Sequence, residues 1–418
     1  MRGTPPDRSD RLFDEVEGFR QEQRVRWQLD RLGDVLRTAS APSARSAAQA
    51  AGLLWGPAGL EALRRLPVLR KDTLPQLQAA SPPLAGWASW DRVRKLYASP
   101  GPIYEPEGPG PDYWGFAPAL HAAGVRAGDV VLNCYAHHLT PAGSMMEGGL
   151  LSLGAIVVPG GVGNTEIQVR AAAHLGATGY VGTPSFLGTL LDKAVEAGVD
   201  LGLEVALVSG ERMPESVRRR FSDAGIRTQQ AYATADVGLI AYECPLRSGM
   251  HTAARCIVEL LDPASGDPVS EDAPGEVVVT LLDSTYPLLR LATGDLAQWT
   301  AEPCPCGRTA PRLRGILGRV GEAVKVRGMF VHPAELRAAM EEHPRVIRYQ
   351  FVVVRAGGQD ELIARLEAAP DPALEEAVRR SVRAHARLRC RVDFVPAGTI
   401  AADAAMLTDA RTWEDGAL

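Results

Sequence analysis

Four soft donors stand in two short, turn-like stretches of the chain. Cys244 and His251 close the ends of "CPLRSGMH", and Cys304 and Cys306 bracket "CPC" further on. Three thiolates and one imidazole are the donor set of a closed tetrahedral zinc site. Four protein ligands leave no open position for substrate, so the expected ion is structural. C-x6-H combined with C-x-C is not a common finger spacing. The metal therefore requires the two stretches to meet in space; otherwise the four residues are unrelated and Cys304 and Cys306 merely flank a turn. Cys134, Cys256 and Cys390 lie in or beside apolar runs and read as small buried hydrophobes.

A second set combines glycines, carboxylates and one aromatic ring. "VSGERMPE" puts Gly210 and Glu211 just beyond an apolar run, where a small residue lets a flat ring approach the backbone. "QQAYATADVG" offers an aromatic face at Tyr232, a backbone step at Ala233, a hydroxyl at Thr234 and a carboxylate at Asp236. "RLATGDLAQW" presents Asp295 after a glycine, suited to accept two hydrogen bonds from vicinal hydroxyls such as a ribose. Each alone is what surface turns commonly contain. Their order along the chain gives them weight.

The elements that must position these groups alternate. The first hundred residues read as helices, with "DRLGDVLRTASAP", "SAAQAAGLLW" and "GPAGLEALRRLP" apolar near helical spacing. A Gly/Pro-rich stretch follows from Ser99 to Asp112. From Val130 short β runs ("DVVLNCY", "AIVVPGG", "ATGYVGTP", "VALVSG") alternate with helical runs ("GSMMEGGLLSLG", "TEIQVRAAAHLG", "SFLGTLLDKAVEAG", "PESVRRRFSDAG"). That alternation predicts βαβ crossovers and a parallel sheet, with ligands in the crevice beyond the carboxyl ends of its strands. After Gln229 the pattern turns to β hairpins, and a smaller α+β unit begins near Gly318. The 418 residues exceed one ordinary core, which predicts two or three domains of a large α/β protein. A net charge of -5 gives no footprint for nucleic acid, and no basic block suggests a membrane surface. The polar opening Met1 to Arg24 reads as neither signal peptide nor anchor, and six cysteines without a secretion signal point to the cytoplasm.

The order and wording of these segments resemble the adenylate-forming enzymes, and among them the phenylacetate–coenzyme A ligase branch. "LPVLRKDTL" is similar to its LP-x-x-x-K-x-x-L segment, and "NCYAHHLTPAGSMMEGGLLSLGAIVVPGGVGNTEIQV" to its N-x-Y…LGA-x-V-x-P-x-G-G…T-x-x-Q-V run. "GTPSFL", "SGERMPESVRRRF", "YATADVG", "YPLLRLATGDLA", "CPCGRTAPR" and "ILGRVGEAVKVRGMFVHPAEL" resemble later segments in family order. The resemblance implies an α/β protein with a large N-terminal adenylate-forming domain over 1–317: a helical start over 1–96, α/β sheets over 97–230 and a β-rich, zinc-containing part over 231–317. A hinge over 318–322 and a small α+β C-terminal lid over 323–418 would follow. It implies an acid–thiol ligase that joins an aromatic or related carboxylic acid to AMP, using ATP and Mg2+, and then passes the acyl group to coenzyme A or another thiol. No nucleic acid or membrane partner is implied, and a homodimer is admitted.

By the same resemblance Gly210 and Glu211 border adenine, Tyr232 stacks on it with Ala233 and Thr234 alongside, and Asp295 holds the ribose. Asp236 stands where the family has the glutamate that holds magnesium, and Arg319 contacts ribose or phosphate near a hinge at Gly321. Tyr135, His137, His138 and the Gly160–Gly161 turn line the acyl pocket. Lys325 is either a second catalytic lysine or a solvated strand charge.

Two departures bear on the first half-reaction. The family loop S-S-G-T-T-G-x-P matches Ser99, Pro100, Gly101, Pro102, Ile103, Tyr104, Glu105 and Pro106. The prolines delete amide donors, and Glu105 is expected to put a negative charge beside a triphosphate. The C-terminal lysine that neutralises leaving pyrophosphate falls near Met406. No Lys follows Lys325, and Arg411 is several residues out of register. The alternative is thus a divergent relative without adenylation, which binds an acyl-adenylate or nucleotide or performs part of the reaction. A zinc-stabilised binding module with no nucleotide is a third, weaker reading.

Overall fold

The computed structural model describes residues 7–9, 12–53, 59–100, 102–263, 265–271, 273–320, 324–327, 329–331, 333–356, 359–401 and 404–411. The chain divides into two compact units, Met1–Gly318 and Arg319–Leu418.

The first unit opens with helices α1 (Gln21–Thr38), α2 (Pro42–Ala50) and α3 (Leu60–Arg64), strand β1 (Leu69–Arg70) and helix α4 (Leu74–Ala80). The hairpin β2 (Lys95–Ser99) and β3 (Ile103–Glu107) and helix α5 (Ala117–Ala122) follow. Next comes the alternating run: β4 (Val130–Asn133), α6 (Ala142–Ser152), β5 (Ile156–Pro159), α7 (Thr165–Leu175), β6 (Gly179–Gly182), α8 (Pro184–Ala197), β7 (Val205–Val208), α9 (Glu215–Asp223) and β8 (Arg227–Thr234). The β-rich part holds β9 (Gly238–Glu243), β10 (Met250–Thr252), β11 (Cys256–Leu261), β12 (Gly275–Leu281), β13 (Leu291–Thr300) and β14 (Arg312–Arg319).

Hydrogen bonding joins these strands in one sheet of order β11-β12-β13-β14-β10-β9-β8-β7-β6-β4-β5, with β1 beside β13. Strands β5, β4, β6, β7 and β8 run parallel, whereas β8 meets β9 antiparallel. The parallel strands end at one edge because each crossover helix returns the chain to the opposite edge. β6 (GYVG) and β7 (VALV) are buried at every position, as strands covered on both faces must be. Gly176 and Gly198 end α7 and α8 at φ +67° and +64°, the left-handed cap that turns each helix back toward the sheet.

Two details differ from the sequence expectation. The turn-rich stretch from Ser99 is a β hairpin whose strands pair from Lys95↔Glu107 to Ser99↔Ile103. The helical start also contains β1, which pairs in parallel with β13 at Leu69↔Leu291. Arg290 fixes that pairing. Its guanidinium donates to Glu259 Oε2 (3.0 Å) and to the carbonyls of Arg64 (2.8 Å) and Leu66 (2.6 Å), and its own carbonyl accepts from the Leu69 amide (2.9 Å). A buried guanidinium with this many acceptors locks the chain leaving α3 against the β-rich part.

The second unit contains a hairpin, β15 (Val324–Val326) and β16 (Met329–Val331), then α10 (Pro333–Glu341), β17 (Tyr349–Ala356), β18 (Gln359–Glu367), α11 (Pro372–Ala386), β19 (Cys390–Val395) and β20 (Leu407–Asp409). Its sheet has order β19-β18-β17-β20 over a core including Val353, Leu362, Val378 and Val382. The Ala-rich tail therefore contributes an edge strand that its composition conceals. Among the described residues no helix is long and apolar enough to cross a membrane.

Candidate functional site

The carboxyl ends of the parallel strands carry the residues expected to line the acyl pocket. Tyr135 follows β4, and its hydroxyl donates between the carbonyls of Gly182 (2.8 Å) and Ser209 (3.0 Å), tying three strand ends together. Burial pushes this phenol well above its usual range, so it stays a neutral donor. The turn after β5 is held by Gln168 of α7, whose amide donates to Gly160 (3.0 Å) and Gly161 (2.9 Å). Gly161 has φ +63°, which a residue with a Cβ adopts only with strain. His137 Nδ1 lies 3.7 Å from Glu147 Oε2, and its Nε2 is buried without a hydrogen-bond partner. His138 is exposed.

The next strand ends carry the residues assigned to the nucleotide. Glu211 after β7 accepts from the Ser185 hydroxyl (3.0 Å) and amide (3.3 Å) at the start of α8, where the helix dipole favours a carboxylate. Gly210 takes φ +87°, and an added Cβ would meet Thr183 only at ordinary contact, so its demand is conformational. A register shift at Tyr232/Ala233 bulges β8 against β9, as strands often do where a side chain must be re-aimed. The Tyr232 hydroxyl lies 2.8 Å from Asp295 Oδ2 and 3.0 Å from Thr293 Oγ1. Thr234 Oγ1 accepts from the Val237 amide (3.3 Å), closing the turn that holds Asp236.

Asp236 is 1% exposed, and Lys71 Nζ lies 2.5 Å from its Oδ2. Lys71 follows directly on β1, so the parallel pairing with β13 delivers this cation to the β8–β9 turn. Asp236 Oδ1 has no hydrogen-bond partner. A buried carboxylate oxygen of this kind is a suitable ligand for a hard cation that draws its remaining ligands from water and substrate oxygens.

The β2–β3 hairpin replaces the expected phosphate loop. Its inner face bears Tyr97, Ser99, Ile103 and Glu105, all buried. Glu105 accepts from the Ser99 amide (3.2 Å) and from the Ser99 hydroxyl. Burial, then the neighbouring Asp236, push Glu105 from the ordinary 4.5 up to about 8. The sequence expectation of a charge presented to a triphosphate is thereby corrected: the carboxyl is 0% exposed and turned into the fold. The hairpin is anchored at Glu107, which accepts from Lys95 (2.7 Å), Tyr97 (2.8 Å), Ser144 (2.9 Å) and Trp114 (3.0 Å). Gln78 of α4 brackets Tyr104, accepting from its amide and donating to its carbonyl, both at 2.8 Å.

The cysteine–histidine set comes together. Ligand atoms of Cys244, His251, Cys304 and Cys306 all lie within 4.8 Å of one another. Cys244 Sγ is 3.7 Å from Cys304 Sγ, and Cys306 Sγ is 3.4 Å from His251 Nε2. Zn–S bonds of about 2.3 Å in a tetrahedron place sulfurs roughly 3.8 Å apart, so the set is already spaced for such an ion. Burial, then Arg308 and Arg312, push His251 down to about 4, which leaves the neutral imidazole that a metal needs. Cys134, Cys256 and Cys390 are buried, as expected.

In the second unit, Arg319 ends β14 and is half-buried. Lys325 lies in β15 opposite Phe330, its side chain outside the described residues, as are Gly321 and Gly101. The Met406 carbonyl accepts from the Phe351 amide (2.7 Å). Arg411 is committed elsewhere, at 2.7 Å from Asp360 and 2.5 Å from Asp409. Sequence reasoning gave no role to Lys71 or Gln168, although both stand in quoted motif segments, and it misjudged Glu105.

Residues 116–280 match the AMP-binding enzyme family. The phenylacetate–coenzyme A ligase of Thermus thermophilus is 33% identical over 329 residues, covering 74% of this chain and 73% of its own. The phenylacetate–coenzyme A ligase of Aromatoleum evansii is 27% identical over 298 residues, 67% of each chain. A solved 2-hydroxyisobutyryl-CoA ligase in complex with 2-HIB-AMP and CoA gives a TM-score of 0.85 at 27% identity, covering 98% of this chain and 94% of that one.

The raised Glu105 has a consequence for stability. Between the ordinary 4.5 and about 8 the unfolded chain has released a proton that the folded chain keeps. Stability is therefore fullest below that window and falls as pH rises through it. Thermal midpoints of the wild type and Glu105→Gln should diverge from pH 5 to pH 8.5, with the wild type losing ground. Parallel curves would contradict the assignment.

Proposed function

Because the chain belongs to the phenylacetate–coenzyme A ligase family of adenylate-forming enzymes, we propose that it joins an aromatic or small substituted carboxylic acid to the thiol of coenzyme A through an acyl-adenylate. The acid's carboxylate oxygen attacks the α-phosphate of ATP and pyrophosphate leaves with the bonding pair. The thiol sulfur then bonds the acyl carbon and AMP leaves. The single observation that supports the nucleotide site best is the Tyr232–Asp295 contact (2.8 Å) beside the buried Asp236. It fixes one carboxylate where it would accept from a ribose diol, while Asp236 keeps a buried oxygen for a cation.

In this reading Gly210 and Glu211 border the base, and Ala233 and Thr234 line the path between base and phosphate. Asp295 holds the ribose, Arg319 contacts ribose or phosphate, and Asp236 would hold Mg2+ through its free oxygen. That ion would supply neutralisation of phosphate charge. Tyr135, His137, His138 and the Gly160–Gly161 turn shape the acyl pocket, with the buried His137 Nε2 the polar group best placed to meet a hydroxyl or ring substituent. Lys325 serves the thiol-transfer step. The six unpaired cysteines support a reducing compartment.

A second reading is favoured by the hairpin at 95–107 and by Met406: the thioester-forming half-reaction persists while adenylation is weak. Removing one preorganised donor or cation costs about 10²–10³ in rate, and several are missing here.

The test is a panel of aryl and 2-hydroxy acids incubated with ATP, magnesium and coenzyme A, with thioester and AMP measured together. Stoichiometric AMP and thioester are expected, and Asp295→Ala should lower kcat/KM for ATP by about 10²–10³. Formation of ADP, or thioester formation indifferent to Asp295→Ala, would refute the reading.

The Cys244, His251, Cys304 and Cys306 set is proposed to hold a structural zinc ion that staples the β9–β10 turn to the β13–β14 connection. Purified protein should carry about one zinc per chain, and Cys304→Ser should lose both the metal and several degrees of thermal midpoint. Less than about half an equivalent in the wild type would defeat it.

A further inference from the structure

Among the described residues, the donors of the β2–β3 hairpin around its turn are spent on the protein itself. The amide and hydroxyl of Ser99 both go to Glu105, and the Tyr104 amide goes to Gln78 (2.8 Å). Pro100 and Pro102 have no amide hydrogen to offer. The nearby cation is spent as well, since Lys71 lies 2.5 Å from Asp236. In the second unit Arg411 is held by Asp360 and Asp409.

Glu105 is central to this closure. The hairpin register sets it opposite Tyr97, on the inward face that also carries Ser99, and its carboxyl bonds Ser99 across the turn. The paired oxygens of this carboxyl group stand in for those of a phosphate, and they sit on the donors that the family loop would offer to one.

We propose that Glu105 determines nucleotide preference at this site: its buried carboxyl occupies the Ser99 amide and hydroxyl, so that these donors are withheld from a β- or γ-phosphate and the site favours the single phosphate of AMP or an acyl-adenylate over ATP. The inference rests on the ligase reading above and deepens it. An acyl-adenylate presents one singly charged phosphate, an ester to the ribose and a mixed anhydride to the acyl group, so its thiolysis needs no contact beyond the α-phosphate. In that step the thiol loses its proton to solvent, the new C–S bond forms, and the acyl C–O bond breaks with its electron pair leaving on AMP. The raised Glu105 agrees with the geometry, because a carboxyl already costly to ionise leaves little room for further negative charge.

The test compares dissociation constants for ATP with magnesium and for AMP, by calorimetry, in the wild type, Glu105→Ser and Glu105→Gln. Ser removes the internal carboxyl, whereas Gln keeps the volume with only one acceptor oxygen and so releases one of the two Ser99 donors; it remains informative if the Ser variant folds poorly. The wild type is expected to bind AMP more tightly than ATP. The ratio should shift toward ATP at least tenfold in Glu105→Ser and in the same direction in Glu105→Gln. AMP binding with no shift in ratio in either variant overturns this proposal alone. Failure of the wild type to bind AMP at all overturns the ligase reading and this proposal with it.

Discussion

The buried ion pair between Lys71 and Asp236 is the contact around which the site is arranged. Burying a carboxylate at 1% exposure costs several kcal/mol unless a counter-charge accompanies it. The counter-charge comes from far away in sequence. Arg290 pins the chain after α3, β1 pairs with β13, and the next residue is Lys71. The β8–β9 turn must in turn be tight enough to present Asp236. Gly238 allows this at φ +79°, in a place where a Cβ would overlap the Trp114 carbonyl. Burial first and this carboxylate second raise Glu105, while Lys71 opposes them, so the pair also bears on the neighbouring hairpin. One electrostatic requirement thus ties the helical opening, the central sheet and the hairpin together.

The two half-reactions make different demands on this arrangement. Transfer of an acyl group from adenylate to thiol needs a held ribose and an oriented acyl carbon. The Tyr232–Asp295 contact and the strand ends bridged by Tyr135 are suited to those tasks. Expulsion of pyrophosphate needs donors and cations along three phosphates, and there the chain has turned its polar groups inward. Each such group is worth roughly 3–4 kcal/mol in related chemistry, so their loss weighs on the first step far more than on the second.

The alternating strands and helices from Val130 to Thr234 were legible because each is a local pattern, apolar β runs separated by helical spacing and Gly joins. The cysteine–histidine set was legible by residue type, although only the pairing of β10 with β9 and β14 brings His251 beside the three sulfurs. The hairpin at 95–107 was hidden because its prolines and glycines read as loop, and its pairing is visible only with the partner strand in hand. Lys71 was in plain view within a motif, but its partner lies in a turn that only tertiary folding brings near. Glu105 was judged by its charge. Its direction, inward to Ser99, is a property of strand register that a one-dimensional reading did not assign.

In the proposed reaction the acid is activated through a bond from its own carboxylate oxygen to the α-phosphate of ATP. The most direct measurement supplies an acid that the enzyme turns over with both carboxylate oxygens labelled as ¹⁸O, and then determines the mass of the AMP released. One ¹⁸O atom is expected in the phosphate of AMP for each thioester formed. Unlabelled AMP would contradict it.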